Sequence, residues 1–510
     1  MVSSQRIIAQ TGIQVLGKIA SIGFGVVAIA IITRSLGREG FGWYATVMAY
    51  LQLFGIAVDL GLNVLAPSEL GRLKNGELKN REQKNFSPST AVEGEREGEG
   101  VMAGRLLSNI FTIRLVAAVI VFAMAAGIAF LIPAYSPAVR IGIAIATFSF
   151  LGIVLQQILL APFQVAGRML WPTVAEVVGR GLLVAGVALA AWREWGLLAM
   201  VWATVIGNVA MFVITYAALR WRPEPRGHPG VEPWVYPRIA FDFDVWRLIL
   251  IRAWPIGLSI LFDLVYLRAD QVLLSLLQPA DHVGIYAAPY RLLDVLTQFP
   301  HMVMGLVLPM LAAAWAVGDR VRFHDRLQRT LDGLALLGFP IAAGAIVLGT
   351  PIMTLVAGQQ FAVSGPVLGV LAVALVGIFL GQPFGYGVVA VGEQRRMLWG
   401  YAVVAVITLL GYLIAIPIWS YWGAAWLTVA SEIAIATITF RVVRRASGFR
   451  IAPRIPVAAL TASVVMGIAL ASLPLPIIPR IAAGAIVYGL LIVVLPPTRR
   501  MIVAGMRSST

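Results

Sequence analysis

The chain is a succession of apolar runs of about 20 residues, the length that crosses a hydrocarbon layer ~30 Å thick. Short polar breaks separate them. That pattern fixes the solvent before it fixes the fold. Backbone amides inside the layer have no water to bond, so each run must satisfy its own hydrogen bonds and becomes a helix. Composition agrees: 59% of the residues are hydrophobic and 12% charged, whereas a soluble domain carries about 25% charged residues. The first run is too long, and too soon followed by another, for a cleaved leader. The expectation is an all-α integral membrane protein.

Fourteen transmembrane helices are expected, near 11–33, 41–66, 106–132, 139–163, 170–191, 196–219, 248–277, 284–316, 330–356, 364–391, 397–419, 422–440, 455–474 and 480–496. The basic residues test that plan, because inward loops of membrane proteins are enriched in Lys and Arg. With a cytoplasmic N-terminus, 28 of the 39 fall in inward segments, 5 in outward loops or at the first residues of spans that start on the outward side (Arg34, Arg38, Arg140, Arg193, Arg480), and 6 deeper inside spans. A missed helix would scramble this alternation. The protein is therefore expected to be multi-pass in the cytoplasmic (inner) membrane, with both termini cytoplasmic. The net charge of +15 is then a property of the inward loops, and no nucleic-acid partner is implied. The absence of Cys excludes disulfide and thiol chemistry.

The chain also contains itself twice. Gly42, Tyr44 and Ala45 in "LGREGFGWYA" match Gly284, Tyr286 and Ala287 in "LQPADHVGIYA"; "RMLW" occurs at 168–171 and 396–399; "EWGLL" (194–198) pairs with "YWGAA" (421–425). Three matches in the same order, at equivalent places in the span plan, mark two six-helix bundles in tandem. Parallel repeats of this kind are a hallmark of alternating-access transporters. The expected domains are an N-terminal six-helix lobe (1–220) with a mobile, Glu- and Gly-rich cytoplasmic loop at 71–105, and a cytoplasmic linker (221–247). A C-terminal six-helix lobe (248–445) and two additional helices with a tail (446–510) follow.

The hairpin "LGREGFGWY", followed by Asp59 in "VDLGLN", resembles the first hairpin of the polysaccharide and lipid-linked oligosaccharide flippases. "RADQVLLSLLQPADHVGIYAAPYRLLDVL" (268–296) resembles the start of their second half. These flippases belong to the MOP exporter superfamily, with multidrug extruders and the lipid II flippase as relatives. The resemblance implies V-shaped lobes and a transporter that passes a polyprenyl-pyrophosphate-linked oligosaccharide between leaflets for polysaccharide biosynthesis. It implies partners as well: the lipid-linked oligosaccharide itself, membrane lipids, and a polysaccharide polymerase or glycosyltransferases. Lipid II export and cation-coupled drug extrusion are the alternatives within the superfamily. A membrane glycosyltransferase is disfavoured, because outward loops of a few residues leave no room for a catalytic domain; no enzymatic activity is expected.

Ionisable side chains at membrane depth are costly unless paired or hydrated, so they are the candidate sites. Lys18, Arg114, Arg252, Arg268 and Arg291 are candidate cavity cations, since guanidinium groups bind phosphate oxygens two at a time. The alternative for each is snorkelling or structural pairing. Asp59, Asp263, Asp270 and Asp294 are the candidate coupling or structural acids. Arg291 and Asp294 stand three apart on one helix and can pair internally. Asp263 and Asp270 share a face, with Arg268 pointing about 160° away. Asp270 occupies the position of an Asp common in the related flippases. Glu176 and Glu432 read as lone acids. No cofactor and no metal-ligand spacing is seen; Na+ or H+ is the candidate coupling ion.

Overall fold

The computed structural model describes residues 4–59, 61–74, 95–220 and 237–494; within these helices the side chains of 4–11, 13, 15, 56, 64, 68, 71–74, 95–101, 252, 255, 256 and 258–267 also fall outside the description. Thirteen α-helices follow in order: α1 (Ser4–Asp59), α2 (Leu62–Lys74), α3 (Glu95–Leu131), α4 (Pro137–Ala166), α5 (Leu170–Trp192), α6 (Gly196–Arg220), α7 (Phe243–Leu277), α8 (Ala280–Ala316), α9 (Arg320–Ala357), α10 (Ser364–Ala390), α11 (Gln394–Ser447), α12 (Arg454–Ser472) and α13 (Ile477–Val494). No strand occurs among the described residues.

Eleven helices among these residues are long and apolar enough to cross a membrane. Two carry an internal corner. α1 breaks at Gly37 (φ 67°, ψ −172°) and α11 at Ser420 (φ 51°, ψ −133°), so each supplies two of the expected spans; α7 covers the expected 248–277. The second span ends at Asp59, earlier than expected: Gly61 is left-handed (φ 78°) and α2 restarts at Leu62. Helix also covers both ends of the loop expected over 71–105, through Lys74 and from Glu95; the remainder lies outside the described residues.

The helices are apolar all round, so packing is decided by small residues. Where α5 crosses α6, a Cβ on Gly179 would lie 2.7 Å from the Gly207 carbonyl oxygen, and one on Gly207 would lie 2.7 Å from that of Gly179. The opposite face of α6 leaves Trp202, Ile206 and Val213 exposed, a stripe suited to lipid.

The chain forms two compact units, residues 1–35 with 46–264, and residues 36–45 with 265–510. In the first, α3 packs on α4, and α6 on both α4 and α5. In the second, α10 packs on α8, α9 and α11, while α12 packs on α9. Leu348 of α9 anchors the appended pair through Met466 and Leu470, and the Tyr488 hydroxyl of α13 donates to the Leu336 carbonyl at 2.8 Å.

The unit boundary falls inside α7, not in the linker, and the reason is local. Residues 237–242 have no helical structure and run along α3 as a strap. The backbone N–H groups of Arg238, Ala240 and Asp242 donate to Ser108 Oγ (3.0 Å), Thr112 Oγ1 (2.9 Å) and Asn109 Oδ1 (3.0 Å). Trp246 Nε1 donates to the same Asn109 oxygen at 2.9 Å. Three side chains on one face of α3 thus replace the strand partner that an extended segment lacks. Arg105 closes the strap with a salt bridge to Asp242.

Both described non-glycine residues with positive φ, Glu194 (φ 55°) and Ser420 (φ 51°), stand at the paired corners that precede "WG" in each half. Each "RMLW" opens a helix, α5 or α11, shortly after a left-handed glycine (Gly167, φ 65°; Gly392, φ 80°). The internal repeat is therefore structural as well as sequential.

Candidate functional site

The candidate residues separate into four groups, each drawn from a different set of elements. In the first unit, Arg114 of α3 is fully buried, and its Nη1 lies 3.0 Å from Asp59 Oδ1. Nη1 also donates to Asn63 Oδ1, and Nη2 to Gln157 Oε1 at 2.6 Å; Asn63 Nδ2 donates to the same Gln157 oxygen at 2.9 Å. Asp59 is the last residue of α1, and its Oδ1 accepts from the Asn63 backbone N–H at 3.3 Å. The cluster thus staples the break between α1 and α2. A buried guanidinium needs such a set, since an uncompensated charge there would cost several kcal/mol, on the order of 3 to 5.

Nearer the N-terminus, Lys18 of α1 pairs with Glu176 of α5 at 3.3 Å, and Ser21 Oγ donates to the same carboxylate at 2.8 Å. Glu176 is therefore not the lone acid expected from sequence. It is the tie between two helices of the first unit.

The second unit holds the remaining pair of arginines. Arg268 of α7 grips Asp294 of α8 with both nitrogens, Nη2–Oδ1 at 2.9 Å and Nη1–Oδ2 at 3.2 Å. Arg291, one turn earlier on α8, approaches the same carboxylate at 3.6 Å. The internal Arg291–Asp294 pair expected from spacing exists, yet the shorter and two-pronged bonds come from the neighbouring helix. The Arg268 guanidinium also lies 5.4 Å over the Tyr290 ring. Side-chain exposure of 16% for Arg268, 22% for Arg291 and 23% for Asp294 leaves the cluster reachable rather than sealed.

Asp270, two residues on from Arg268, takes different partners. It is fully buried; its Oδ2 accepts from the Tyr286 hydroxyl at 2.5 Å, and its Oδ1 from the Gln271 backbone N–H at 2.7 Å. Thr428 Oγ1 of α11 links Tyr286 (3.1 Å) to Tyr412 (3.2 Å). None of these three partners was legible as functional: Tyr286 was visible only as a mark of the repeat, and Tyr412 and Thr428 lie too far along the chain for any spacing rule. At the offset that pairs Gly42 with Gly284, the positions of Arg268, Arg291 and Asp294 hold Val26, Ala49 and Gln52. The charged cluster belongs to the second half alone. Arg252 and Asp263 lie in α7 with side chains outside the described residues.

The corner 36–45 belongs to the second unit. A Cβ on Gly42 would stand 1.7 Å from the Ala280 carbonyl oxygen, and one on Gly284 2.0 Å from that of Arg38. Each contact thus spans glycine i and carbonyl i−4 of its repeat mate. Phe41 meets Phe361 edge-on at 5.9 Å. The sequence marks this corner as an architectural landmark, and here two backbones touch with no side chain between them.

Comparison with known proteins places these features. The family described as Polysaccharide biosynthesis protein matches residues 7–315, a stretch that holds every candidate residue named above. Succinoglycan biosynthesis transport protein ExoT of Rhizobium meliloti (strain 1021) is 22% identical over 378 residues, 73% of this chain and 67% of that protein. Among solved structures, the lipid II flippase MurJ in an inward closed conformation superposes with a TM-score of 0.73 at 14% identity, covering 96% of this chain and all 100% of that one. An inward-facing multidrug resistance MATE family transporter of the MOP superfamily gives 0.65 at 14% identity, over 84% of this chain and 94% of that one.

Proposed function

We propose that this chain, which belongs to the polysaccharide biosynthesis protein family and has the fold of MOP superfamily transporters, is a flippase for a polyprenyl-pyrophosphate-linked oligosaccharide. It carries the cargo from the cytoplasmic to the outer leaflet by alternating access.

The observation that carries the reading is the Arg268–Asp294–Arg291 cluster. Two guanidinium groups share one carboxylate, so these three side chains sum to +1, offset in part by the nearby Asp270 carboxylate, among apolar helices where unpaired charge is costly. An arriving pyrophosphate offers more acceptor oxygens than Asp294 and can replace it on both arginines. Asp294 then acts as a placeholder that keeps the two cations folded inward between cargoes. The lipid tail needs no protein site, since the bilayer already solvates it.

Asp270 makes no ion pair among the described residues and is the carboxylate through which a coupling Na+ or H+ would act. A shift of transport between Na+-selective and protonophore sensitivity identifies which.

The test is leaflet-resolved measurement of the lipid-linked glycan after depletion of the protein, with Arg268→Ala and Arg268→Lys as complementing variants. The expected result is inner-leaflet accumulation rescued by the wild type, weakly by Lys and not by Ala. Unchanged outer-leaflet supply on depletion overturns the proposal. Accumulation of lipid II in its place would transfer the same pyrophosphate chemistry to a peptidoglycan precursor.

A further inference from the structure

At the junction of α11 and α12 the second unit carries a patch of positive charge for which the flippase reading has no use. Between residues 440 and 454 the sequence runs "FRVVRRASGFRIAPR", and no Asp or Glu follows Glu432 anywhere in the chain. Arg441, Arg444, Arg445, Arg450 and Arg454 are all exposed. Among the described residues none of the five takes part in a salt bridge or side-chain hydrogen bond. Arginines in nearby turns differ in this respect: Arg322 pairs with Asp319, Arg329 with Asp325, and Arg396 with Glu393.

We propose that these five arginines form a binding site for the phosphate headgroups of anionic phospholipids at the lipid-facing rim of the second unit.

The argument rests on helical register. On α11, Trp426 (56% exposed), Ala430 and Ile433 (49%) recur every three or four residues, the period of one helix face. Arg441, Arg444 and Arg445 continue that same stripe. At 1.5 Å per residue Arg441 stands about 22 Å and Arg445 about 28 Å beyond Trp426, so the stripe passes from hydrocarbon depth into the headgroup layer just where its residues become arginines. α12 repeats the arrangement in reverse. Arg454 heads a stripe of Val457 (53%), Leu460 (45%), Val464 (51%) and Ile468 (67%). Two lipid-facing surfaces of consecutive helices thus end in cations at the same turn.

The turn between them is held in place. Gly448 closes α11 in the left-handed region (φ 74°). His324 Nε2 lies 3.0 Å from the Ser447 carbonyl oxygen. The Gln328 amide pairs with the Ala452 backbone in both directions, at 3.0 and 2.9 Å, and Phe449 is buried edge-on to His324 at 5.5 Å. Arg450 therefore projects from a fixed backbone. A guanidinium presented in this way can take two phosphate oxygens together, and several basic side chains at a leaflet surface add to the attraction.

Native mass spectrometry of the full chain, titrated with phosphatidylglycerol and phosphatidylcholine, tests the site. The wild type is expected to retain phosphatidylglycerol about tenfold more tightly. Replacing all five arginines with Gln should abolish the preference, and replacing them with Lys should keep part of it. Should the Gln variant fail to insert, Arg444→Gln with Arg445→Gln gives a milder version, expected to lose roughly half of the preference in free-energy terms. Equal retention of the two lipids by the wild type, or a preference that survives in the Gln variants, overturns the proposal. Displacement of phosphatidylglycerol by a polyprenyl pyrophosphate from the wild type, but not from the variants, would reassign the arginines to the cargo and overturn it equally. None of these outcomes touches Arg268, so the flippase reading stands or falls separately.

Discussion

At the scale of single residues, Arg114 and Asp59 make the sharpest prediction. Replacing Arg114 with Leu leaves Asp59, Asn63 and Gln157 facing one another without their cation. The expected loss is about 3 kcal/mol, read as a lowered unfolding temperature in detergent. The double variant Asp59→Asn with Arg114→Met should recover most of it; a double variant no better than the single one would show that the pair is not the cause. Glycine gives a second contrast. Gly42→Ala and Gly284→Ala each force a Cβ into a backbone oxygen and should cost about 1 to 3 kcal/mol. By contrast, Gly305→Ala meets open space on α8 and should stabilise slightly, by roughly 0.5 kcal/mol. What the sequence could disclose at this scale was cost, not partnership. Spacing showed Arg291 beside Asp294 because they share a helix. The stronger Arg268–Asp294 bond joins two helices, and nothing local encodes it. Asn63, four residues after Asp59, was the one partner of Arg114 that helical spacing could have suggested.

At the scale of elements, the strap over α3 ties the start of α7 to the first unit. Arg105 holds the Asp242 carboxyl below its ordinary value of 3.8, its hydrogen bond being the largest cause. A carboxyl depressed in the folded state contributes stability that is present above its unfolded value and lost as pH falls through the folded one. Hydrogen exchange at the amides of Arg238, Ala240 and Asp242, corrected for intrinsic rate, should therefore stay slow at neutral pH and quicken only in acid below 3.8. Asp242→Asn should remove that pH dependence. The membrane-crossing helices were legible because apolar length is a property of the local sequence. The corners at Gly37 and Ser420 were placed to within a few residues for the same reason. The strap was not foreseen: Ser108, Asn109 and Thr112 look like ordinary polar residues in a helix until an extended segment is laid against them.

At the scale of the whole molecule, the prediction concerns orientation in the membrane. The chain contains no Cys, so single introduced thiols can be labelled without background. Leu475→Cys, between α12 and α13, should react with an impermeant maleimide in intact cells, and Ala452→Cys, between α11 and α12, only after permeabilisation. The reverse pattern would invert the topology drawn from the basic residues and with it the proposed direction of flipping.

The contact between Gly42 and Gly284 has one more consequence. A residue that touches its own repeat mate through reciprocal atoms must lie next to a local two-fold axis. In an ancestor that carried a single copy of the repeat, the same contact would have been isologous, one glycine pressed against its twin in a homodimer. A substitution there would have been felt twice at one point, whereas elsewhere the two copies could change independently. Two fused copies can diverge, and in this chain the charged cluster stands in the second half alone. The axis residue could not follow either half without obstructing the other. Its backbone contact is thus the part of the molecule that still behaves as a symmetric dimer.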